Sequence, residues 1–253
     1  MSFSATYLGS SGWLLDFHGF RVLVDPWLTG PLTFSPGPWL IEGNLQKEIE
    51  TPENISLILL TQGLPDHAHP PSLSMLNKSI RVIGSPSAAK LSKELGFENV
   101  LTLKPGTEQS IDGLTVQAKE GAYVPFVENA YFLDHAEGSV YLEPHGFLDA
   151  SIPCREVDIV ITPVVDLLIP IVGSFVKGRT LLPEIINRFK PLKIFASTIG
   201  GDAEFKGLLP KFIRTKGSYK EARQIIGNQS DFIEPIPFHT YEIHGRTNQT
   251  KSN

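Results

Sequence analysis

The sequence predicts a mixed α/β (α+β) fold in which each half of the chain is rich in strands first and helical later. Of its 253 residues, 41% are hydrophobic and 19% are charged, a composition typical of a globular protein with a large core. Apolar runs of strand length dominate residues 6–60 and 113–162. Helical patterns follow at residues 86–95, 181–189 and 219–226. We therefore expect two halves of similar plan.

The chain opens with a predicted pair of antiparallel strands. Residues 13–17 and 20–24 are apolar runs of strand length. They flank His18 and Gly19, a two-residue signal for a β-hairpin. This pattern indicates the antiparallel beginning of a sheet.

A long loop and a buried strand follow the hairpin. Residues 29–43 are rich in proline and glycine and lack periodicity, which predicts a long loop of the kind that often carries function. Residues 55–60 form a continuous apolar run, which predicts a strand buried on both faces. The residues after it should lie at the carboxyl edge of a sheet.

The middle of the chain alternates strand and helix. Residues 80–83 have the composition of a strand. Ser85 and Pro86 supply an N-cap and a proline at the first helical position. We expect the helix to run to Leu95 and to end at Gly96.

The second half contains short strands and then two helices. We place strands at residues 113–118, 130–133, 139–142 and 157–162, and helices at residues 181–189 and 219–226. Because no linker divides the chain, we predict a single domain over residues 1–245 and a frayed polar tail over residues 246–253.

Charge and cysteine content argue against several classes of function. The 22 basic and 27 acidic residues give a net charge of −5, which disfavours nucleic-acid binding and polybasic attachment to membranes. One cysteine, Cys154, indicates a reducing compartment, and the first residues lack the features of a signal peptide. The apolar stretch 157–176 is interrupted by aspartates and prolines, so we interpret it as strand and loop. We expect a cytoplasmic protein that binds a small molecule, with a homo-oligomer left open.

The sharpest chemical feature follows the buried strand. Asp66, His67 and His69 come shortly after residues 55–60, and aspartate and histidine are ligands of Zn, Mn and Fe. In a tight turn or at a helix N-terminus, Asp66 and His67 can converge on one ion. The alternative is a capping aspartate beside two solvated histidines. The surrounding sequence has to decide between them.

A longer pattern covers most of the chain. It comprises Tyr7-Leu8-Gly9, Gly12-Trp13-Leu14-Leu15, Arg21-Val22-Leu23-Val24-Asp25-Pro26-Trp27-Leu28 and Thr61-Gln62-Gly63-Leu64-Pro65-Asp66-His67. This pattern resembles the metallo-β-lactamase superfamily, and within it the ascorbate-phosphate-lactonase-like branch, where the metal loop reads Thr-His-x-His-x-Asp-His. The resemblance implies a four-layer αββα sandwich with a site at the sheet edges between the two halves.

The resemblance implies two sets of metal ligands, and the first set is missing here. Gln62 and Leu64 stand in the places of two histidines, and Ala122 or Tyr123 falls where a third is expected. Since an alkyl group ligates nothing and an amide is a poor substitute for imidazole, we expect no metal at this first position.

The second set of ligands is largely retained. Asp66 and His67 match the family, and His145 stands where a bridging aspartate is expected. The last family histidine should lie near residues 195–202, where Asp202 is the strong candidate, with His69 as an alternative. His135 and Glu143 could also supply a ligand, but we expect surface hydrogen-bonding roles for both.

Two functions of different classes fit these residues. As an enzyme, the chain would bind one divalent ion (Zn, Mn or Fe) and hydrolyse a small ester, lactone or phosphoester, with Asp66 as catalytic residue. The ligands would be Asp66, His67, His145 and either Asp202 or His69. As a non-catalytic protein, the chain would keep the fold, bind no metal, and use the cleft for a ligand or a partner.

Overall fold

Two seven-stranded sheets pack face to face in a computed structural model, which describes residues 1–123, 127–170, 172–198 and 203–246. Two helices cover the outer face of each sheet. The described residues therefore form four layers in the order helix, sheet, sheet, helix. The α/β (α+β) sandwich inferred from the sequence is confirmed.

The first sheet is built mainly from the first half of the chain. Its strands are β1 (Ser2–Gly9), β2 (Gly12–Phe17), β3 (Phe20–Val24), β6 (Ile55–Leu60), β7 (Arg81–Gly84), β8 (Val100–Thr102) and β20 (Thr240–His244), in the spatial order β20-β1-β2-β3-β6-β7-β8. Strands β20 to β3 pair antiparallel, whereas β3, β6, β7 and β8 run parallel.

The second sheet repeats this plan. Its strands are β9 (Glu108–Ile111), β10 (Leu114–Tyr123), β11 (Val127–His135), β12 (Gly138–Leu142), β13 (Ile159–Thr162), β16 (Lys193–Ala196) and β19 (Asp231–Ile233), in the order β19-β16-β13-β12-β11-β10-β9. Strands β9 to β12 pair antiparallel, and β12, β13, β16 and β19 run parallel.

Four helices and two small sheets complete the described fold. The helices are α1 (Pro70–Met75), α2 (Pro86–Glu94), α3 (Gly178–Phe189) and α4 (Tyr219–Ile226), with a 3-10 turn at Leu209–Lys211. One small sheet comprises β4 (Leu32–Thr33), β5 (Glu42–Leu45) and β17 (Ala203–Lys206). The other comprises β14 (Asp166–Ile169), β15 (Gly173–Lys177) and β18 (Arg214–Lys216).

Local signals in the sequence explain several of these boundaries. His18 and Gly19 both have positive φ angles (57° and 99°), as a tight hairpin turn between two strands requires. The Ser85 hydroxyl accepts a hydrogen bond from the backbone N–H of Ala88 and caps α2. Gly96 follows α2 at φ 86°, the left-handed conformation that ends helices.

Strand β6 is buried on both faces, as its sequence predicts. Leu57 and Leu59 belong to the core between the two sheets, whereas Ile58 and Leu60 pack in the outer core beneath α1 and α2. This alternation is the two-residue period of a strand. The chain after Leu60 lies at the edge where the two halves of the molecule meet.

Three features differ from the expectations. The segment 29–43 contains β4 and the start of β5, and α1 follows His69, a helix that the sequence pattern did not predict. The described residues of the region 157–176 form strands and loops, as expected, and no helix in the described part of the chain is long and apolar enough to cross a membrane. Arg246 is anchored, since its backbone N–H donates to Asp158 Oδ1 at 2.8 Å. The rest of the expected tail, residues 247–253, lies outside the described residues.

Candidate metal centre

The candidate centre lies where the carboxyl ends of β6 and β12 meet. Asp66 and His67 follow β6 of the first sheet, and His145 follows β12 of the second. Strand β6 has parallel neighbours on both sides and β12 has one on one side, and the carboxyl ends of parallel strands are common ligand sites in α/β sheets. The site is therefore shared between the two halves.

A helical turn aims Asp66 and His67 in the same direction. The carbonyl of Leu64 accepts hydrogen bonds from the backbone N–H groups of His67 (3.0 Å) and Ala68 (2.7 Å). The turn is held against α2 at Gly63, where a Cβ would lie 2.8 Å from the backbone of Ser87. Close packing on α2 thus requires glycine at this point.

A buried carboxylate orients the ring of His67. Asp25 Oδ2 lies 2.8 Å from His67 Nδ1, and the Asp25 carboxylate also accepts hydrogen bonds from the backbone N–H and the hydroxyl of Thr61. Since a carboxylate only accepts, Nδ1 carries the proton, and Nε2 is left to face the site. This carboxylate–histidine pair is the usual support of a metal-binding imidazole.

Asp66, His67 and His145 form a cluster of ligand atoms that fits a metal ion. One nitrogen or oxygen of each lies within 4.8 Å of the others. His67 Nε2 and Asp66 Oδ1 are both buried and have no hydrogen-bond partner among the described residues, although Nε2 lies 3.3 Å from Asp66 Oδ2. Two imidazoles and a carboxylate are a common donor set for Zn and for non-haem Fe. The residues present therefore fit one divalent ion.

His145 is held from both its ring and its backbone. Its Nδ1 lies 2.5 Å from Glu128 Oε2, and its backbone N–H donates to Glu143 Oε1 at 3.1 Å. Its carbonyl accepts from the backbone N–H of Lys177 at 2.9 Å. These bonds fix the turn after β12 against the start of α3.

Two carboxylates, those of Asp66 and Asp25, change the pKa of His67. Burial would lower the pKa of His67, but the charges of Asp66 and Asp25 and the hydrogen bond to Asp25 outweigh it and raise that pKa well above its usual value. Desolvation would raise the pKa of Asp66, but the imidazoles of His67 and His145 lower it below its usual value. The two carboxylates thus favour positive charge at this position.

His69 lies outside this cluster, contrary to its expected role as an alternative ligand. It precedes α1, and its Nδ1 and Nε2 lie 2.8 Å from Ser72 Oγ and 3.2 Å from the Pro31 carbonyl. Because both ring nitrogens have hydrogen-bond partners, neither has a free lone pair to offer an ion. Asp202, the other candidate, lies outside the described residues.

The residues expected at the first metal position have other contacts. Gln62 is buried, and its amide nitrogen donates to Glu128 Oε2 at 2.8 Å. Leu64 contributes its carbonyl to the turn that carries His67. Ala122 is buried and Tyr123 is exposed. The described cluster of metal-ligating atoms contains none of these four residues.

Three carboxylates of the site were missed or misjudged from the sequence. Asp25 was named only as part of the family-like pattern, and Glu128 gave no local signal because it lies within a strand. Glu143, expected at the surface, is fully buried and accepts hydrogen bonds from the backbone N–H groups of His145 and Phe147. Burial and the neighbouring Glu128 raise the pKa of Glu143 well above its usual value. The Asp-Pro at the end of β3 was the available signal for Asp25.

Comparison with known families agrees with this geometry. The model of the Lactamase_B_3 family, described as a beta-lactamase superfamily domain, matches residues 4–196. The chain belongs to the metallo-β-lactamase superfamily. The match runs from within β1 to the end of β16 and includes every residue of the candidate metal centre described above. No curated protein matches the sequence.

Solved structures share the metallo-β-lactamase fold at low sequence identity. Igni18, a metallo hydrolase of the archaeon Ignicoccus hospitalis, is 15% identical with a TM-score of 0.66, covering 97% of this chain and 100% of that one. The isothiocyanate hydrolase from Delia radicum gut bacteria is 15% identical with a TM-score of 0.69, covering 96% and 100%. The metallo-beta-lactamase fold protein YhfI of Bacillus subtilis is 11% identical with a TM-score of 0.64, covering 95% and 99%. At these identities the likeness is one of fold.

Proposed function

We propose that this protein is a hydrolase that uses a single divalent metal ion, bound at Asp66, His67 and His145. The main support is that these three side chains converge. His67 Nε2 and Asp66 Oδ1 are buried and have no hydrogen-bond partner among the described residues. Unpaired buried polar atoms are costly, at about 1–3 kcal/mol each, so their grouping favours an ion that satisfies them together. A divalent ion at this place would act as a Lewis acid toward water and toward a carbonyl or phosphoryl group.

The protein side chains would bind the ion, orient its ligands and accept a proton. His67 and His145 bind through the ring nitrogens that face the site, while Asp25 and Glu128 hold the opposite nitrogens. Asp66 is the most exposed of the cluster, with 27% of its side chain accessible, and its lowered pKa keeps it ionised at neutral pH. We assign Asp66 to accept a proton from the attacking water as well as to bind the ion.

The substrate would be a small ester, lactone or phosphoester, because a divalent ion of this kind polarises carbonyl and phosphoryl groups. The loss of the first-metal histidines at Gln62 and Leu64 favours a single ion over a pair. We leave Zn, Mn and Fe as the candidate metals. The single cysteine favours action in the cytoplasm, and the net charge of −5 favours a small molecule over nucleic acid as the ligand.

Metal content and hydrolysis test this function together. Protein purified without chelator should contain one divalent ion per chain by elemental analysis. It should hydrolyse at least one member of a panel of p-nitrophenyl esters, γ-lactones and bis-p-nitrophenyl phosphate. His145→Ala should lose both metal and activity with an unchanged circular dichroism spectrum.

His244→Ala is the matched control. His244 lies exposed on the edge strand β20, so its replacement should leave metal and activity unchanged. A wild-type protein without metal, or a His145→Ala variant that keeps its metal, would contradict the proposal. Either result would favour the non-catalytic binding protein.

A further inference from the structure

We propose that Glu128 is a positioning residue that replaces the first metal of the family and holds His145 in the orientation needed to bind a single ion. This inference rests on the proposed function. One carboxylate oxygen of Glu128 contacts two side chains of the site. Glu128 Oε2 lies 2.5 Å from His145 Nδ1 and accepts a hydrogen bond from Gln62 Nε2 at 2.8 Å.

The two partners of Glu128 are the residues that depart from the family pattern. Gln62 stands in the place of a histidine of the first metal, and His145 stands in the place of the bridging aspartate. In the family arrangement a cation would lie between these two positions. Here an anion contacts both side chains. The charges are therefore exchanged: a carboxylate replaces the cation, and an imidazole replaces the carboxylate.

This exchange accounts for both substitutions at once. A carboxylate at position 145 would be repelled by Glu128, whereas an imidazole can donate a hydrogen bond to it. An imidazole at position 62 could also donate to Glu128, and the Gln62 amide nitrogen donates to it while carrying no charge of its own. The Gln62 amide and the His145 ring are thus matched to the same acceptor.

The bond to Glu128 determines which nitrogen of His145 is free. A carboxylate only accepts, so Nδ1 carries the proton and Nε2 keeps its lone pair. The same arrangement holds at His67, whose Nδ1 faces Asp25. Both imidazoles are therefore supported by a buried carboxylate behind the ring.

The position of Glu128 is itself fixed by the packing of the two sheets. Its side chain is fully buried at the start of β11. The next residue, Asn129, donates its backbone N–H to the carbonyl of Thr61 at 3.0 Å, and its side chain donates to the carbonyl of Leu103. These bonds tie β11 to the end of β6, so Glu128 and Gln62 approach each other wherever the sandwich is intact.

The test measures Zn²⁺ and Co²⁺ binding to three variants of the full chain. Glu128→Gln keeps an acceptor for His145 but removes the charge. It should lower the affinity for both ions by about 10–100-fold, measured by chelator competition. The visible spectrum of the Co²⁺ protein should change with it. Glu128→Asp should recover part of the affinity. Glu120→Gln, the same chemical change at an exposed position on the neighbouring strand β10, should leave the affinity as in the wild type.

A metal-free measurement separates this inference from the proposed function. Nitrogen-15 NMR of the imidazoles at alkaline pH should show His145 protonated on Nδ1 in the wild type, and Glu128→Leu should move that proton. If the wild type binds one ion and Glu128→Gln binds it equally well, the role of Glu128 is wrong and the proposed function stands. If the wild type binds no ion, the proposed function fails. The NMR result then supports the Glu128 hydrogen bond or, if the Nδ1 proton is absent, overturns it.

Discussion

At the scale of single residues, the site is built from buried groups that need one another. Asp25 is 1% exposed and has three donors around it, from Thr61 and His67. Burial raises the pKa of Asp25, and the neighbouring His67 and the hydrogen bonds from His67 and Thr61 oppose that rise. Removing one partner of such a buried pair leaves the other without compensation.

Asp25→Ala should therefore destabilise the protein by about 3–5 kcal/mol, because it leaves His67 Nδ1 and the Thr61 N–H buried without a hydrogen-bond partner. Urea denaturation of the metal-free protein measures this loss. Asp231→Ala is the comparison, since Asp231 is 72% exposed and pairs with Lys193 at the surface. That change should cost at most about 1 kcal/mol. Equal losses in the two variants would show that burial of the Asp25 pair carries no special weight.

The raised pKa of Glu143 predicts that the free energy of unfolding depends on pH. Its pKa in the folded protein is raised well above 4.5 by burial and by Glu128, so above pH 4.5 the folded state holds this proton more tightly than the unfolded chain. The contribution of Glu143 is thus fully present below about pH 4.5 and declines as pH rises through the folded pKa.

Glu143→Gln removes this titration. The melting temperature of Glu143→Gln minus that of the wild type should increase from pH 5 to pH 8, whatever constant cost the lost hydrogen bond adds. Differential scanning calorimetry across this range measures the difference. A difference that does not grow with pH would mean that the backbone donors of His145 and Phe147 keep Glu143 ionised.

At the scale of elements, the turn that carries His145 depends on a close approach to α3. A Cβ on Gly178 would lie 2.1 Å from the carbonyl oxygen of Pro163, and one on Gly146 would lie 2.4 Å from the backbone N of Gly178. Gly146 also has a positive φ of 69°. Two glycines thus allow the first turn of α3 to contact the loop after β12.

Gly178→Ala should lower stability by about 1–3 kcal/mol through overpacking against backbone that has no room to move. It should also weaken Zn²⁺ binding, since the displaced Lys177 N–H holds the His145 carbonyl. Gly96→Ala provides the control, because Gly96 has φ 86° but no atom within 4 Å of a Cβ. Its strain of about 1–2 kcal/mol should reduce stability and leave Zn²⁺ affinity unchanged. Unaltered Zn²⁺ affinity in Gly178→Ala would show that the packing of α3 does not support metal binding at His145.

At the scale of the whole molecule, the candidate centre joins the two sheets. Asp66 and His67 come from the first sheet and His145 from the second, while the core between them includes Trp13 and Phe195, which pack edge to face at 5.5 Å. An ion bound by both halves adds a link across this interface, and it binds the folded state only.

Zn²⁺ should therefore raise the melting temperature. An ion at a hundred times its dissociation constant contributes about 2.7 kcal/mol, which corresponds to about 5–10 °C for a chain of this size. Removal of the ion with a chelator should reverse the shift, and titration should end at one ion per chain. His145→Ala should show no such shift. Binding of two ions per chain would contradict the loss of the first metal position.

Sequence reasoning anticipated part of the site and missed another part for a physical reason. Asp66 and His67 are neighbours in one turn, so their proximity follows from local structure alone. His145 was placed by resemblance to the family, and the structure brings it to the same cluster. The second layer of Asp25 and Glu128 was not anticipated, since an acid within or at the end of a strand has no local pattern that marks it as buried.

The sequence by itself determined the elements whose causes are local. The hairpin at His18 and Gly19, the helix that starts after Ser85 and the doubly buried strand at Ile55–Leu60 each depend on residues within a few positions of one another. The tertiary structure alone decided that His69 bonds to Ser72 and Pro31 instead of joining the cluster, and that Glu128 lies between Gln62 and His145. Those contacts join residues distant in the chain, and they form only when the two sheets pack and exclude water from the carboxylates between them.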